Sequence, residues 1–566
     1  MFNRRNFLSR SGLLAAAASV SAPHLARSAE ALNASGGQKP RKIIHIVSDG
    51  MSIGTLSCAD QYSRVVRGRP LAWTDVWRMP GATQGLMNMR SLNSLVTDSS
   101  AASSSWGSGS RIMNGALNVL PDGQRLTPLY TLFAEAGWTR ALVTTTEITH
   151  ATPAGFAANV RSRENPYLIA AQYLERKVDI LLGGGRQFFD AKKRLDKRDL
   201  KADYRAAGYT VVEKLDALKA APKTGRLLGI FTDSHLPYTV DHQVDEKLRA
   251  TVPTLGMMTA AALERLAAAE NFILQIEGGR VDHAAHSSDA AGAILDQLAL
   301  DEAIEHCLKF QKENPDTLIV VTTDHGNSNP GLNGMGGGYS RSTLRLANIQ
   351  NIKASVGNII GQIKKLGHKV EVKPTGVWDK DEPLPYSTPK TAFKYPDEEA
   401  WEKLQKAADE AKKLAEAGKK KKPEPPYGYW VRHQDIMEVV EKTTGYRMPE
   451  ARAKMYQKFL LRRGEALFEP LNNEGAQMGQ LLANYTGVNW IGTSHTGDYV
   501  TIAAVGPGAE RFGGYIQNTD VFRHYTQLAG INFENPSMPV YVDNAEIGET
   551  ENIAAYLEPR EEPLPA

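Results

Sequence analysis

Short apolar runs alternate with amphipathic stretches along the chain from about residue 41. Between the runs, LTPLYTLFAEAG and GMMTAAALERLAAAE carry apolar residues at helical spacing. The runs themselves end in polar or glycine-containing turns and are typical of buried β-strands: KIIHIVSDG, RALVTTTE, VDILLGGG, NFILQIEGG and TLIVVTTDHG. This alternation predicts an α/β fold, a three-layer sandwich with a mostly parallel central sheet. Such folds bind their ligands at the carboxyl ends of the strands.

The alternation of strands and helices stops after residue 330 and resumes with DYVTIAAVGPG at 498–508. We therefore predict an α/β core over residues 41–330, a large crown- or lid-like insertion over 331–485, and a return to the core over 486–560. Long insertions are tolerated at the surface of a rigid core, where they commonly carry function.

One segment of the insertion, PDEEAWEKLQKAADEAKKLAEAG at 396–418, has the signals of both helix ends. Acidic residues lie in its first turn, lysines lie towards its end, and a glycine follows. Its apolar side chains form only a narrow stripe, so we expect an exposed helix. The lysines and prolines of 419–426 predict a solvated turn after it, in preference to a basic patch for a membrane or a partner.

Composition excludes a disordered chain and argues against nucleic-acid binding. Hydrophobic residues make up 42% and charged residues 23% of the 566, which allows a large core. The formal net charge is +3, and the arginines of the first 31 residues account for it. The remainder therefore lacks the basic surface that nucleic acids require.

Cys58 and Cys307 allow at most one disulfide, which is no framework for a chain of this length. Whether they pair stays open.

The N-terminus has the pattern of an export signal. A charged start precedes an apolar run from Ser11 to Ala22, and small residues follow where a peptidase cuts. The run is too short to span a bilayer, so we predict a signal peptide over 1–31 and no transmembrane segment elsewhere. RRNFL at 4–8 resembles a twin-arginine signal, which implies the twin-arginine export machinery and a periplasmic or secreted bacterial protein. A Sec signal that happens to carry two arginines is the alternative.

Several predicted strands deliver carboxylate and imidazole groups where they end: Asp49, Glu277 with Asp282 and His286, and Asp324 with His325. Asp282 and His286 are four residues apart and would share one face of a helix. Buried groups of these types are costly unless they are paired or bound to metal. Mixed oxygen and nitrogen ligands suit zinc, whereas oxygen alone suits magnesium, and both kinds of set are available here. The pattern indicates a multi-metal hydrolase that acts on a phosphoryl group.

The stretch LVTDSSAASSSWGSG at 95–109 contains six serines in fifteen residues. Its composition alone favours a flexible linker over the setting of one reactive hydroxyl. The metal-type groups at the strand ends favour the reactive hydroxyl instead. With those groups, Asp98-Ser99-Ser100-Ala101-Ala102 resembles the nucleophile motif of alkaline phosphatases. The resemblance covers about 41–330 and 486–530 and does not cover the insertion. It implies that Ser99 is the nucleophile and that Ser100 fills a small-residue position.

The same resemblance implies two zinc ions and one magnesium ion. The implied ligands are Asp282, His286 and His495 for the first zinc, Asp49, Asp324 and His325 for the second, and Asp49, Thr152 and Glu277 for magnesium. Arg163 in NVRSRE matches the arginine that holds phosphate, with Arg161 as the competing candidate. His150 and His283 stand where some family members carry Asp and Lys, so the metal held in the third site stays open.

The resemblance implies hydrolysis of phosphate monoesters to inorganic phosphate through a phosphoserine on Ser99, and it allows a homodimer. A zinc ion beside the serine lowers the pKa of its hydroxyl, and Arg163 offers a bidentate fork to the transferred phosphoryl group. The alternatives are a phosphodiesterase or sulfatase of the same superfamily, or an exported metal-binding protein without turnover. Asp98-Ser99 beside Arg163 favours the monoester hydrolase. The natural substrate stays open.

Overall fold

The computed structural model describes residues 39–334, 336–372, 396–417, 427–462 and 469–538. The predicted signal peptide at 1–31, the predicted turn at 419–426 and residues 539–560 of the predicted return to the core lie outside this described part. None of the helices within the described ranges is long and apolar enough to cross a membrane.

A ten-stranded sheet forms the centre of the fold. Its strands are β1 Lys42–Val47, β2 Thr83–Asn88, β3 Thr139–Glu147, β4 Ile180–Gly184, β5 Thr210–Val212, β6 Leu227–Ile230, β7 Phe272–Glu277, β8 Thr317–Thr322, β15 Val500–Val505 and β16 Gly514–Gln517. They lie in the order β16-β2-β15-β8-β1-β7-β3-β4-β6-β5. Within this described sheet only β15 runs antiparallel to its neighbours. The predicted α/β sandwich with a mostly parallel sheet is confirmed, and each run predicted as a strand forms one.

Short two-stranded pairs lie outside the central sheet: β9 Gly326–Asn327 with β14 His495–Thr496, β10 Gly331–Leu332 with β13 Val488–Asn489, and β11 His368–Glu371 with β12 Tyr427–Trp430. The α-helices span Ile53–Tyr62, Ala72–Val76, Ser99–Ser108, Leu129–Glu135, Ala151–Ala157, Pro166–Glu175, Leu200–Ala206, Leu215–Ala220, Thr239–Val244, Glu246–Thr251, Leu255–Leu266, Arg280–Ala285, Ala290–Glu313, Ser342–Ala347, Val356–Lys365, Pro396–Ala417, His433–Thr444, Glu450–Leu460, Glu474–Thr486 and Asp520–Leu528.

Strand β1 shows how the sheet separates two hydrophobic cores. All six of its residues are buried, and successive side chains point to opposite faces. Ile44 and Ile46 pack into the core on one face, whereas Ile43 and Val47 pack into the core on the other. A strand that is buried on both faces reads as the continuous apolar run seen in the sequence. Cys58 and Cys307 are both buried and unpaired.

A third hydrophobic core lies within the predicted insertion and extends from Ala354 to Leu482. It is built from helices and does not include Trp401, which joins a core of the central sheet instead. The boundaries 331–485 stay a prediction. The expectation of a fully exposed helix at 396–418 is wrong at its start, because Trp401 is 4% exposed and Glu398 is 2% exposed. From Lys403 to Lys413 the helix is exposed at most positions.

Candidate metal centre

The strand register brings the predicted ligands to one edge of the sheet. Val47 at the end of β1 pairs with Glu277 at the end of β7 and with Thr322 at the end of β8. The chain then turns at Gly50, which has a φ of +67° and donates its N–H to Asp324 at 3.0 Å. A Cβ on Gly50 would lie 2.8 Å from the Cα of Asp282. Glycine is therefore required where the loop after β1 passes this cluster.

Three groups of metal-type side chains form at this edge, each with its ligand atoms within 4.8 Å of one another. They are Asp282 with His286 and His495, Asp49 with Asp324 and His325, and Asp49 with His150 and Glu277. Asp49 belongs to two of the groups and so joins them. Thr152, predicted beside Glu277, donates its hydroxyl to Asp49 at 3.3 Å. His150, predicted only nearby, lies inside the third group.

The first group presents two imidazole nitrogens to the same point. His286 and His495 place their Nδ1 atoms 2.6 and 2.9 Å from the carbonyl oxygens of Thr493 and Thr97. A carbonyl only accepts, so each Nδ1 donates, and in the neutral form of each ring the lone pair lies on Nε2. The two Nε2 atoms lie 3.2 Å apart, and that of His286 lies 3.2 Å from an Asp282 oxygen. Two facing lone pairs beside a carboxylate fit a cation between them.

The second group contains buried carboxylate oxygens that accept no hydrogen bond within the described residues, Asp49 Oδ1 and Asp324 Oδ2. Both side chains are 0% exposed, and His325 Nε2 lies 3.6 Å from Asp49 Oδ1 and 3.3 Å from Asp324 Oδ2. Burial and the neighbouring carboxylates raise the pKa of Asp49 well above its usual range, and that of Asp324 to about 7. Two buried carboxylates side by side are costly without a cation, so the unsatisfied oxygens of Asp49 and Asp324 fit a metal ion.

In the third group the carboxylate of Glu277 is held by hydroxyl and imidazole donors. Thr144 donates to Oε2, Thr146 donates to the same atom at 2.9 Å, and His150 Nδ1 lies 3.0 Å from Oε1. Burial opposes ionisation, but the charge and hydrogen bond of His150 and the other donors lower the pKa of Glu277 to about 2. Glu277 is therefore an oriented carboxylate directed at Asp49, as a ligand of a hard cation requires.

The serine-rich stretch forms the helix Ser99–Ser108, and Asp98 caps it by accepting the N–H of Ala101 at 2.9 Å. Ser99 is the first helical residue, and its Oγ lies 3.2 Å from His325 Nε2. The neighbouring hydroxyl of Ser100 instead donates to Asp98 at 2.6 Å. The structure thus places one serine hydroxyl, Ser99, at the metal-type groups and turns the other away into the helix cap.

The two candidate arginines face opposite ways. Arg163 places one guanidinium nitrogen 3.2 Å from Asp98 and the other 3.2 Å from His150. Burial lowers the pKa of Arg163, but the charges of Asp98 and Asp49 outweigh it and raise that pKa, so the fork stays charged. Arg161 points outward to Glu398 at 2.6 Å and to Glu402 at 2.7 Å. Only Arg163 lies at the site.

A histidine that the sequence analysis missed stands beside the third group. The centroid of the His235 ring lies 4.4 Å from that of His283 and 6.1 Å from that of His150. Nδ1 of His235 accepts the backbone N–H of Glu147. Arg280 donates to Nδ1 of His283 at 2.7 Å, and burial lowers the pKa of His283 well below its usual range. His235 follows β6, so its position after a buried strand was the available signal.

A second missed residue is Asn327, directly after the DHG motif. Its side-chain amide donates to Asp282 Oδ1 at 2.7 Å, and its own oxygen accepts the hydroxyl of Ser328 at 2.6 Å. The hydroxyl fixes which way the amide points, so Asn327 orients a carboxylate of the first group.

The site opens into a cavity of about 520 Å³. It is lined by Asp98, Ser99, Asn114, Gly115, His150, Ser162, Arg163, Glu164, Asp282, His283, His286 and His495. One wall is thus the start of the serine helix and the arginine, and the other is the first metal-type group. A small anionic group that entered this cavity would meet the serine hydroxyl, a guanidinium and four imidazoles.

Comparison with known proteins gives the family of the chain. The sequence model of the family described as alkaline phosphatase matches residues 40–445. Alkaline phosphatase 3 of Bacillus subtilis is 28% identical over 449 residues, which cover 78% of this chain and 78% of the relative. The repressible alkaline phosphatase of Saccharomyces cerevisiae is 33% identical over 321 residues, which cover 51% and 56%.

The fold gives the same result. The crystal structure of Thermus thermophilus alkaline phosphatase superposes with a TM-score of 0.71 at 29% identity, and covers 89% of this chain and 94% of its own. The match extends over most of both chains. With the family match over more than two thirds of its length, the chain belongs to the alkaline phosphatase family and is a metal-site phosphatase.

Proposed function

We propose that the protein hydrolyses phosphate monoesters through a phosphoserine on Ser99. The observation that carries this proposal is the position of a single serine hydroxyl, 3.2 Å from His325 within the second metal-type group. Ser100, the neighbouring hydroxyl, is engaged by Asp98. The family and the charged fork of Arg163 support the same reaction.

The proposed metals are two zinc ions and one magnesium ion. Asp282, His286 and His495 would hold the first zinc, Asp49, Asp324 and His325 the second, and Asp49, Thr152 and Glu277 the magnesium. When bound, these ions supply Lewis acids that lower the pKa of the serine hydroxyl and stabilise the leaving oxygen. The mixed donors of the first two groups suit zinc, and the oxygens of Asp49, Thr152 and Glu277 suit magnesium.

The chain's own residues then bind the phosphoryl group and orient it for attack by Ser99. The guanidinium of Arg163 offers two N–H groups to two oxygens of the phosphoryl group, and Asp98 holds that guanidinium in place. Ser99 Oγ loses its proton and forms a bond to phosphorus as the bond to the ester oxygen breaks, and the released alkoxide takes up a proton to leave as the alcohol. The start of the helix Ser99–Ser108 favours the negative charge. Water then attacks the phosphoserine, which releases inorganic phosphate and restores the hydroxyl.

Turnover of p-nitrophenyl phosphate tests this function. We expect hydrolysis that a chelator abolishes and that zinc with magnesium restores. Bis-p-nitrophenyl phosphate and p-nitrophenyl sulfate are the matched controls, and we expect both to be hydrolysed at least about a hundredfold more slowly. A preference for the diester or the sulfate would favour another activity of the superfamily, and metal binding without any turnover would favour a binding protein.

We also propose export by the twin-arginine machinery to the periplasm or the medium. The charged start, RRNFL and the short apolar run support it. Replacing Arg4 and Arg5 together by lysine should retain active enzyme in the cytoplasmic fraction of the expressing cells. Unchanged export of that variant would instead favour the Sec alternative.

A further inference from the structure

The loop that carries Arg163 is anchored on its inner side. Val160 forms an antiparallel bridge with Leu117, and the backbone N–H of Arg163 donates to the carbonyl of Gly115 at 2.7 Å. Between these two anchors stands Arg161, whose side chain and backbone N–H both face the other way. The backbone between the two inner anchors is therefore held from the outer side, at Arg161.

One carboxylate holds both parts of Arg161. Glu398 Oε1 accepts its backbone N–H at 2.8 Å, and Glu398 Oε2 accepts its Nε–H at 2.6 Å. Glu402, one helical turn later, accepts an N–H of the same guanidinium at 2.7 Å. Glu398 is 2% exposed, so water does not replace either bond readily. Glu398 thus holds the main chain two residues before Arg163 through the backbone bond, and it holds the Arg161 guanidinium through the side-chain bond.

The helix that supplies Glu398, Pro396–Ala417, is itself packed firmly against the core. The Trp401 ring stacks on that of Tyr167, with centroids 4.9 Å apart and an interplanar angle of 28°. The Arg194 guanidinium carbon lies 5.7 Å from the centroid of the Tyr167 ring and 5.8 Å from that of the Trp401 ring. Tyr167 belongs to the helix that directly follows the arginine loop. The same contact surface therefore fixes the loop and its outer support relative to each other.

We propose that Glu398 is a positioning residue for Arg163 and that this helix of the predicted insertion sets the affinity for the phosphoryl group. The inference rests on the proposed role of Arg163. A bidentate fork binds well only in the correct orientation, and a displacement of about 1 Å costs much of its effect. Loss of the Glu398 charge and of one of its two acceptor oxygens weakens its hold on Arg161 and leaves the nucleophile and all three metal-type groups untouched. It should weaken binding of phosphate much more than it slows turnover.

The test compares Glu398→Gln with Glu399→Gln, which makes the same change of charge at the next position of the same helix. We expect Glu398→Gln to raise both KM for p-nitrophenyl phosphate and the inhibition constant of inorganic phosphate by about fivefold or more. Its kcat and zinc content should stay within twofold of wild type. Glu399→Gln should leave all four quantities within twofold. Equal effects of the two variants, or a fall in kcat with KM unchanged, would overturn the proposal.

Two further variants keep the result decisive. If Glu398→Gln does not fold, Arg161→Gln removes the other partner and should raise the same two constants by at least about twofold. Unchanged constants would overturn the proposal. Arg163→Ala in the same series tests the proposed function on which the inference rests. If Arg163→Ala raises the inhibition constant of phosphate and Glu398→Gln does not, only the positioning role fails. If neither variant does, the phosphate-binding role of Arg163 fails as well.

Discussion

Removal of the Arg163 side chain should lower activity strongly while the metal-type groups stay intact. Its guanidinium is held by Asp98 and His150, both at 3.2 Å, and its side chain is 22% exposed at the cavity wall. Asp98 keeps three other donors when Arg163 is gone, the N–H groups of Ala101 and Gly115 and the hydroxyl of Ser100. We therefore expect Arg163→Ala to fold normally and to lose function only.

The size of the effect follows from the bonds that the fork offers. Two charge-assisted hydrogen bonds contribute about 1.5–3 kcal/mol each, or about 3–6 kcal/mol together. The partial exposure of Arg163 places the value in the lower half, about 3–4 kcal/mol. Because each ~1.4 kcal/mol changes a rate by about tenfold, kcat/KM should fall by about 10²–10³. Arg163→Lys keeps the charge but not the fork, so it should lose roughly half of that free energy.

The assay is kcat/KM for p-nitrophenyl phosphate, with zinc content and thermal unfolding measured on the same preparations. The value of kcat/KM should be lowest for Arg163→Ala and intermediate for Arg163→Lys, and the metal content of both variants should equal that of wild type. If Arg163→Ala stays within about threefold of wild type while its zinc is intact, the guanidinium does not hold the phosphoryl group and the reasoning is wrong.

Other perturbations test the metal sites, the insertion and its junction with the core. The double change His150→Asp with His283→Lys should tighten magnesium binding by about tenfold or more. It should also blunt inhibition by excess zinc, as metal titrations followed by activity would show; identical magnesium affinities would contradict this. Replacing residues 390–426 with a short Gly/Ser linker should leave the zinc content unchanged, because no residue of the three metal-type groups lies there. Loss of zinc would show that the metal-type groups depend on this segment. Asp289→Ala should lower the free energy of unfolding by about 2 kcal/mol in a urea titration, because Asp289 accepts the N–H groups of Gly292 at 2.9 Å and Val356 at 2.8 Å, at the starts of two helices. An unchanged urea midpoint would contradict this assignment.

The sequence predicted the central strands because burial on both faces leaves an unbroken apolar run, as in β1 and β7. It did not predict β2, whose residues TQGLMN are exposed or partly buried except for the buried Met87. Nor did it predict β5, which is three residues long and lies at the edge of the sheet. Pairing with a distant neighbour creates such strands, and local pattern does not record it.

The site shows the same division. Carboxylates and imidazoles at strand ends were visible, since parallel strands deliver their ends to one edge. The approach of His235 to His283, and the outward turn of Arg161 to Glu398, depend on how segments far apart in sequence pack together. The burial of Trp401 was hidden for the same reason, because one aromatic residue in a polar helix becomes a core residue only when it meets Tyr167.

The covalent intermediate is the most direct test of the account. Enzyme incubated with ³²P-labelled phosphate is quenched in acid, digested and mapped. The labelled phosphate should be found on Ser99 in wild type and in Ser100→Ala, which should keep most of its activity, because the hydroxyl of Ser100 only supports the helix cap at Asp98. Ser99→Ala should carry no label. Label on Ser100, or a labelled Ser99→Ala protein, would contradict the central claim.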